Sequence, residues 1–323
     1  MRTLIVALGL VALAAAAPGT AARADIFPSR TITLIVPFPP GGSTDVAGRI
    51  LAQRMGEALG QTVIVENVGG AGGSIGVGRL ARAAPDGYTI DIGQWDTHVG
   101  SIIYHLNYDL QTDFAPIGLI SINPMLLLAK KTLPANDLTS LVALMKAHPG
   151  DVKFVNQNAS AQVGGLLLQK LTGTEVLFVP YKGAGPAMTD LISGQVDLLL
   201  VQGAVALPQV RGGTVKALAE LSPQRSASMP DIASADQSGV PGFYIAGWFG
   251  FYAPKGTPPD AVAKLNAAMV TALSDPAVRK RFADLGLDVA AREQQTPAGL
   301  AAFQKAEMDK WWPIIKAAGI RGD

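Results

Sequence analysis

The segment from Thr33 to Met55 has the clearest chemical potential in this sequence. It reads TLIVPFPPGGSTDVAGRILAQRM, an apolar strand-like run, a turn built on prolines and glycines, and an amphipathic helical pattern. Such a junction leaves backbone N–H groups open, and a helix start adds unpaired donors and the positive end of the helix dipole. Ser43 and Thr44 add hydroxyl groups. The segment predicts a carboxylate or phosphate site, the alternative being that one hydroxyl simply caps the helix.

Three further loops carry polar side chains directly after strand-like runs. They are residues 93–97, GQWDT; residues 156–162, NQNASAQ; and residues 179–186, VPYKGAGP. Ser160 is the predicted N-cap of a second helix. Trp95, Tyr181 and Lys182 are candidate ligand contacts. Their alternatives are packing for the two aromatic rings and a solvated turn for the lysine.

One glycine-rich pattern raises an enzymatic alternative. Residues 72–76, GGSIG, match the G-x-S-x-G of a hydrolase, with Ser74 as the nucleophile. That motif requires the serine directly after its strand and a histidine late in the chain. Here Ser74 lies well beyond the strand-like run, and His98, His105 and His148 all lie in the first half. Both requirements are unmet, and an exported α/β hydrolase with Ser74 as nucleophile is kept only as an alternative.

The same segment loosely resembles a dinucleotide-binding loop. Gly70 and Gly72 are followed by Gly76, with Asp91 further on, but the spacing departs from G-x-G-x-x-G. Close backbone packing is the simpler role for these glycines. The histidines have no acidic residue at a spacing that completes a metal site. We predict neither a cofactor nor a metal.

The first 24 residues have the pattern of a cleavable signal peptide, with a basic start, an apolar run and Ala22-Arg23-Ala24 before the predicted cleavage. The apolar run is short for a bilayer span, so we predict an exported chain without stable membrane insertion. Loss of the two leader arginines reduces the 26 basic residues to 24, against 25 acidic ones. This balance argues against nucleic acid as a partner. The absence of cysteine from the sequence excludes disulfides and thiol chemistry.

Strand-like and helical patterns alternate along the rest of the chain, which is typical of βαβ units in mostly parallel sheets. The strand-like runs of the first half are 31–36, 62–66 and 88–92, and its helical patterns are 45–59 and 75–84. A second alternation spans 138–221. The last helical patterns are 259–273, 276–285 and 297–318. The apolar runs 116–130 and 243–254 are predicted to cross between two sheets, whose strand ends would form a ligand cleft.

Five motifs, taken in order, make the chain similar to one known family. They are PFPPGGSTD, VENVGGAGGSIG, APDGYT, VPYKGAGPAMTDLISGQVD and WFGFYAPKGTP. From about residue 27 onward the sequence resembles the periplasmic solute-binding proteins of tripartite tricarboxylate transporters, the TctC or Bug family. The resemblance implies an α/β Venus-flytrap fold, two mostly parallel sheets joined by two crossing strands. It also implies two domains, residues 25–124 plus 249–323 and residues 125–248. A carboxylated ligand and no catalysis are its further implications.

The family's ligand contacts can be carried over by position. The first set is Phe38, Gly41, Gly42, Ser43 and Thr44. The second set is Ala159, Ser160, Ala161 and Gln162, with Tyr181 and Lys182 beside it. The remaining pocket residues are Gln94, Trp95, Asp96, Val201 and Gln202.

The sequence departs from the family pattern at several of these positions. Gln162 replaces a histidine, Val201 replaces an acidic residue that many members carry, and Gln94-Trp95-Asp96 replaces small and hydroxyl residues. The missing acid at Val201 weakens the case for an amino-acid ligand. Trp95 suggests either a smaller pocket or a stacking surface for an aromatic acid.

Together, these features predict a monomeric periplasmic receptor for a small organic acid, either a di- or tricarboxylate or an aromatic acid. It would deliver this ligand to the membrane subunits of a tripartite tricarboxylate-type transporter through transient contact. A hinge motion about the crossing segments would close the two domains on the ligand. A sensory carboxylate receptor remains an alternative, because the sequence alone does not separate sensing from transport.

Overall fold

The computed structural model describes residues 27–226 and 228–321. The predicted leader and its cleavage site lie outside the described residues.

The first part of the chain forms parallel βαβ units. In order they contain β1 (Ile32–Val36), α1 (Ser43–Leu59), β2 (Val63–Asn67), α2 (Ser74–Ala81), β3 (Thr89–Gln94) and the short helix α3 (Trp95–His98). β1 lies between β2 and β3. Ile35 packs into one core cluster, whereas Leu34 and Val36 pack into another. Both faces of β1 are therefore covered, which explains its unbroken apolar sequence.

The second part begins with a long strand and repeats the alternation. Its elements are β4 (Phe114–Lys130), α4 (Leu138–Ala147), β5 (Lys153–Asn156), α5 (Ala159–Thr172), β6 (Leu177–Pro180), α6 (Ala184–Ser193), β7 (Leu198–Gln202), α7 (Gly203–Arg211) and β8 (Val215–Glu220). β5 pairs in parallel with β6 and β7. The predicted second βαβ series is therefore present.

The last part returns to the first group of strands. Its elements are β9 (Ala246–Pro254), α8 (Pro259–Ser274), α9 (Pro276–Asp284) and α10 (Pro297–Ala317). A proline begins each of these helices, where its missing N–H removes no hydrogen bond. Asp275 also caps α9 by accepting hydrogen bonds from the N–H groups of Ala277 and Val278.

β4 and β9 join the two groups of parallel strands. The strand order is β2-β1-β3-β9-β4-β7-β5-β6, with β8 paired to β4. Residues 114–124 of β4 pair with β9, and residues 125–130 pair with β7 and β8. These pairings are antiparallel, as is that of β9 with β3. The two predicted crossing segments are thus the antiparallel strands at the centre of an otherwise parallel arrangement.

The helix α7 is absent from the sequence prediction. It starts at Gly203 and contains Pro208, and both residue types weaken a helical pattern. Leu207 and Ala206 are nevertheless buried in a core cluster with β7 and α6. Tertiary packing therefore stabilises a helix that local propensity does not predict.

Burial of Trp248 on β9 supports a first prediction. Its side chain has no exposed surface, and its ring meets Phe303 of α10 edge-on, with ring centroids 5.6 Å apart. We expect Trp248→Ala to lower the free energy of unfolding by about 3–5 kcal/mol in urea denaturation, because it leaves a cavity. The control Ile314→Ala changes a side chain on α10 that is 39% exposed. Equal losses in the two variants would contradict this assignment.

Candidate ligand-binding site

The loop between β1 and α1 presents the start of a helix that no side chain of the described structure caps. Its N-cap is Gly42, which has no side chain to occupy the first N–H groups. Gly41 has a φ of +87°, a conformation that favours glycine. Ser43 and Thr44 follow, 9% and 4% exposed. The first-turn N–H groups and the helix dipole can therefore receive an anion at this loop.

Asp45 holds this loop in place. Its carboxylate accepts hydrogen bonds from Gly41 N–H at 2.9 Å, Arg49 Nε at 3.0 Å and Asn67 Nδ2 at 2.9 Å. Asn67 Nδ2 also donates to the carbonyl of Phe38 at 3.0 Å. Burial by itself raises the pKa of Asp45, but the hydrogen bonds, first that of Arg49, outweigh it and hold the pKa below its usual value. Asp45 is therefore an ionised carboxylate that pairs with Arg49 and fixes the loop.

A second glycine-containing turn packs against the first. A Cβ on Gly73, whose φ is +96°, would lie 2.5 Å from Thr97 Cγ2 and 3.0 Å from the carbonyl oxygen of Pro37. Glycine is therefore needed where the β1–α1 and β3–α3 loops approach each other. Ser74 begins α2 after this turn, whereas β2 already ends at Asn67. The geometry is that of close loop packing and differs from a hydrolase nucleophile elbow.

Asp96 connects the β3–α3 loop to the start of α5. Its side chain is 3% exposed. It accepts hydrogen bonds from Ser160 N–H at 2.7 Å, Ser160 Oγ at 3.2 Å and Asn158 Nδ2 at 3.2 Å. Burial raises the pKa of Asp96 to about 6, although the hydrogen bonds from Ser160 oppose this shift. A buried carboxylate of the chain itself thus lies at the start of α5, among the predicted ligand contacts 159–162.

The N-cap of α5 is Asn158, so the prediction of Ser160 is wrong. α5 begins at Ala159, and Asn158 Oδ1 accepts a hydrogen bond from Ala161 N–H at 3.0 Å. Two first-turn N–H groups, those of Ser160 and Ala161, are therefore engaged within the chain. Gln162 N–H donates to the carbonyl of Asn158 at 3.2 Å in the helix itself.

Gln94 and Gln202 meet at the carboxyl ends of β3 and β7. Gln202 Nε2 donates to Gln94 Oε1 at 3.1 Å, and the side chains are 6% and 5% exposed. Val201, the neighbour of Gln202, is 3% exposed and packs with Val155 and Leu126. An acid at position 201 would lie among aliphatic side chains in this packing. The predicted contact Gln202 is therefore near Gln94, whereas Val201 lies in the core.

Trp95 also lies in the core. Its side chain is 1% exposed, and its ring meets Trp311 of α10 edge-on with centroids 5.4 Å apart. Its Nε1 is buried without a hydrogen-bond partner in the described structure. This geometry agrees with the alternative of core packing. Trp95 could stack on a ligand only if its side chain moved from this position.

The loop before α6 contains two of the predicted ligand contacts, Tyr181 and Lys182. Tyr181 donates a hydrogen bond from its hydroxyl to Asp190 Oδ2 at 2.5 Å, which raises the pKa of Tyr181 to about 12. Lys182 is exposed. The tyrosine hydroxyl is therefore bound to Asp190 of the following helix α6, and the exposed Lys182 agrees with the alternative of a solvated turn.

Sequence reasoning missed the two asparagines that organise the site. Asn67 braces the first loop and Asn158 caps α5. The role of Asn158 could have been predicted from the sequence, because asparagine is a favoured N-cap whose side chain reaches the N–H groups of the residues that follow it. The role of Asn67 could not have been predicted, since its hydrogen-bond partners lie far from it in the sequence.

A buried polar group lies beneath the β3–α3 loop. His98 stacks on Tyr252 with ring centroids 4.0 Å apart, and His98 Nε2 lies 3.9 Å from Asp91 Oδ2. Burial lowers the pKa of His98 to about 3 and raises the pKa of Asp91 well above its usual value. Both groups are therefore favoured in their uncharged forms, and they support the loop from inside the fold.

The described ranges, 27–226 and 228–321, contain no helix that is long and apolar enough to span a bilayer. Two parallel groups of strands joined by two crossing strands, with glycine loops and helix starts at the junction, define the periplasmic solute-binding protein fold. The sequence profile of the tripartite tricarboxylate transporter family receptor, TctC, matches residues 47–320. The chain belongs to this family of solute-binding proteins.

Individual relatives agree with this assignment. BugT of Bordetella pertussis is 35% identical over 326 residues, which cover 99% of each chain. The structure of MatC from Rhodopseudomonas palustris with bound malate is 38% identical, with a TM-score of 0.84, over 90% of this chain and 100% of MatC. R. palustris Rpa4515 with adipate is 30% identical, with a TM-score of 0.86, over 91% of this chain and 99% of that protein. The predicted two-domain Venus-flytrap fold is confirmed.

The raised pKa of Asp96 gives a second prediction. Its folded value of about 6 exceeds the ordinary 3.8, so the folded state holds the proton more tightly than the unfolded state. This contribution to stability is complete below pH 3.8 and is lost as the pH rises through about 6. We expect the free energy of unfolding of the wild type, relative to Asp96→Asn, to fall between pH 4 and 7 by at most about 3 kcal/mol.

Urea denaturation at several pH values measures this difference directly. The control is Asp231→Asn, because Asp231 is exposed. Its difference from the wild type should be flat over the same range. A difference for Asp96→Asn that is flat, or that rises with pH, would contradict the assignment.

Proposed function

We propose that this chain is a periplasmic receptor that binds a small carboxylate and delivers it to a tripartite tricarboxylate-type transporter. The observation that carries the proposal is the uncapped start of α1 at Gly42, which Asp45 braces. Helix N–H donors that no side chain caps suit a ligand carboxylate. MatC with malate and Rpa4515 with adipate support an acid as the ligand. Membership of a solute-binding family supports a role without catalysis.

The ligand would bind between two halves of the chain. We assign residues 25–124 and 249–323 to one domain and residues 125–248 to the other, because β4 and β9 are the strands that connect the two parallel groups. The β1–α1 loop supplies the contacts of the first domain, and residues 159–162 approach from the second. The chain would act as a monomer, exported by its leader and cut after Ala24.

Loss of the first loop's donors should weaken binding without unfolding the protein. A Cβ on Gly42 would meet only the carbonyl oxygen of Pro39, at 4.0 Å, and Gly42 has an ordinary φ of −80°. The fold therefore accommodates Gly42→Val, while the added methyl groups cover the N–H donors. We expect a loss of carboxylate affinity of one to a few kcal/mol, about the cost of an unpaired charged group.

Isothermal titration calorimetry with the best-binding acid of a thermal-shift screen measures this loss. Ser43→Ala should weaken binding by a smaller amount in the same direction. Ser274→Ala, an exposed hydroxyl at the end of α8, is the control and should bind as the wild type does. Unchanged affinity in both Gly42→Val and Ser43→Ala would refute the first-loop site.

The effect of replacing Trp95 distinguishes an aromatic ligand from an aliphatic one. If the indole keeps its place against Trp311, Trp95→Ala should lower stability by about 3–5 kcal/mol and should affect aromatic and aliphatic acids alike. Titrations with benzoate and citrate at a temperature well below the variant's midpoint measure the effect. A selective loss of benzoate binding would instead support a ligand-stacking role.

A further inference from the structure

A buried carboxyl group on β3 has no cationic partner. The side chain of Asp91 has no exposed surface, and neither of its oxygens has a hydrogen-bond partner in the described structure. His98 Nε2 lies 3.9 Å from Asp91 Oδ2 and is also buried without a partner. An isolated charge on either side chain is costly in such surroundings, so the charge state of each depends on the other.

Two tyrosines face this pair and leave it uncharged. Tyr252 of β9 is the cross-strand neighbour of Asp91, and its ring stacks on His98 with centroids 4.0 Å apart. Tyr108 packs nearby, edge-on against Phe114. Burial first, and the nearby Asp91 second, raise the pKa values of both tyrosines above their usual range. Both hydroxyl groups therefore stay protonated and add no charge.

The charged side chains at the edge of this region do not neutralise the carboxyl group. Arg82 approaches the ring of Tyr108, but within residues 27–226 and 228–321 no arginine or lysine forms an ion pair with Asp91. From α10, Gln304 donates to the backbone carbonyl of the buried histidine. Glu307 of the same helix interacts instead with the neighbouring lysine and tryptophan of α10. Asp91 and the histidine are therefore left to balance each other.

The hydrogen bonds of Thr97 decide which ring nitrogen of His98 carries a proton. Thr97 Oγ1 lies 3.0 Å from His98 Nδ1, accepts the N–H of Gln94 at 3.0 Å and donates to the Gln94 carbonyl at 3.2 Å. A hydroxyl has a single proton to donate, and Thr97 donates it to Gln94. The contact with His98 is then completed by Nδ1–H, which leaves Nε2 as an acceptor on the side of Asp91.

We propose that Asp91 and His98 hold one titratable proton jointly and position the β3–α3 loop: the proton lies on the Asp91 carboxyl and points at His98 Nε2, while Nδ1–H holds Thr97. An approach of about 1 Å brings the two side chains to the length of an O–H···N hydrogen bond. Burial favours this uncharged arrangement, since it raises the pKa of Asp91 and lowers that of His98. The role does not depend on the ligand and goes beyond the proposed function.

The proton positions can be read in the wild-type protein. Nitrogen-15 NMR of histidine rings distinguishes the Nδ1–H form, the Nε2–H form and the imidazolium. The variants His105→Asn and His148→Asn change exposed side chains and identify the remaining signal as that of His98. We expect the Nδ1–H form for His98, unchanged from pH 5 to 8. An Nε2–H form or an imidazolium in this range would overturn the proposal.

The proton count gives a characteristic pH dependence of stability. The ordinary pKa values of 3.8 and 6.5 mean that the two unfolded side chains hold one titratable proton between these values and none above 6.5. The folded pair keeps one throughout. Relative to the double variant Asp91→Leu/His98→Leu, the folding equilibrium constant of the wild type should be level from about pH 4.5 to 6. It should fall about tenfold from pH 7 to 8, because the folded state then holds more protons.

The two single variants should show opposite slopes against the same double variant. In Asp91→Leu the folded imidazole is neutral while the unfolded one is protonated below pH 6.5, so the constant should rise about tenfold per pH unit from pH 4.5 to 6. In His98→Leu the folded carboxyl keeps a proton that the unfolded one loses above pH 3.8, so the constant should fall about tenfold per pH unit. The control Asp231→Asn changes an exposed carboxylate and should keep the wild-type profile.

The same four proteins form a double-mutant cycle that tests whether the proton is shared. Leucine is close to both side chains in size and forms no hydrogen bond, so each variant removes the interaction without adding another. At pH 6 the wild type should be more stable than the two single changes predict by about fivefold or more in the equilibrium constant, the contribution of one hydrogen bond. Additive effects, or a wild-type profile that slopes between pH 4.5 and 6, would overturn the proposal.

Discussion

The hydrogen bonds between Asp96 and the start of α5 are the interaction on which the arrangement of the site depends. They join the end of β3 to a helix that follows β5, and the amide pair of Gln94 and Gln202 lies beside them. A buried carboxylate is costly unless several donors satisfy it, and here an N–H, a hydroxyl and an amide do so. These hydrogen bonds therefore hold the carboxyl end of β3 against the start of α5.

The loop between β1 and α1 differs from the start of α5, because no side chain caps its helix. Glycine at the N-cap leaves the first turn of α1 uncapped, and such a turn is mobile unless something else fixes it. Asp45 supplies that support through Gly41 N–H and Asn67, with Arg49 balancing its charge. The carboxylate of Asp45 thus fixes the loop through Gly41 and Asn67, and the first N–H groups of α1 stay uncapped.

The two crossing strands connect the groups of parallel strands that carry these loops. β4 pairs with β9 along residues 114–124 and with β7 and β8 along residues 125–130. β4 thus runs from one parallel group into the other, and the rings of Trp248 and Trp95 contact Phe303 and Trp311 of α10. The chain's relation to the TctC family follows from this architecture together with its sequence.

The sequence by itself determined the order of strands and helices, the crossing segments and the first loop, because hydrophobic period and proline–glycine turns are local signals. The N-terminal prolines of α8, α9 and α10 are of this kind. Only the tertiary structure decided that Trp95 and Val201 pack in the core and that Asp96 faces Ser160. Those outcomes depend on contacts between residues far apart in the sequence, which no local pattern encodes. The helix α7 also depends on tertiary structure, since packing overrides the weak helix propensity of its sequence.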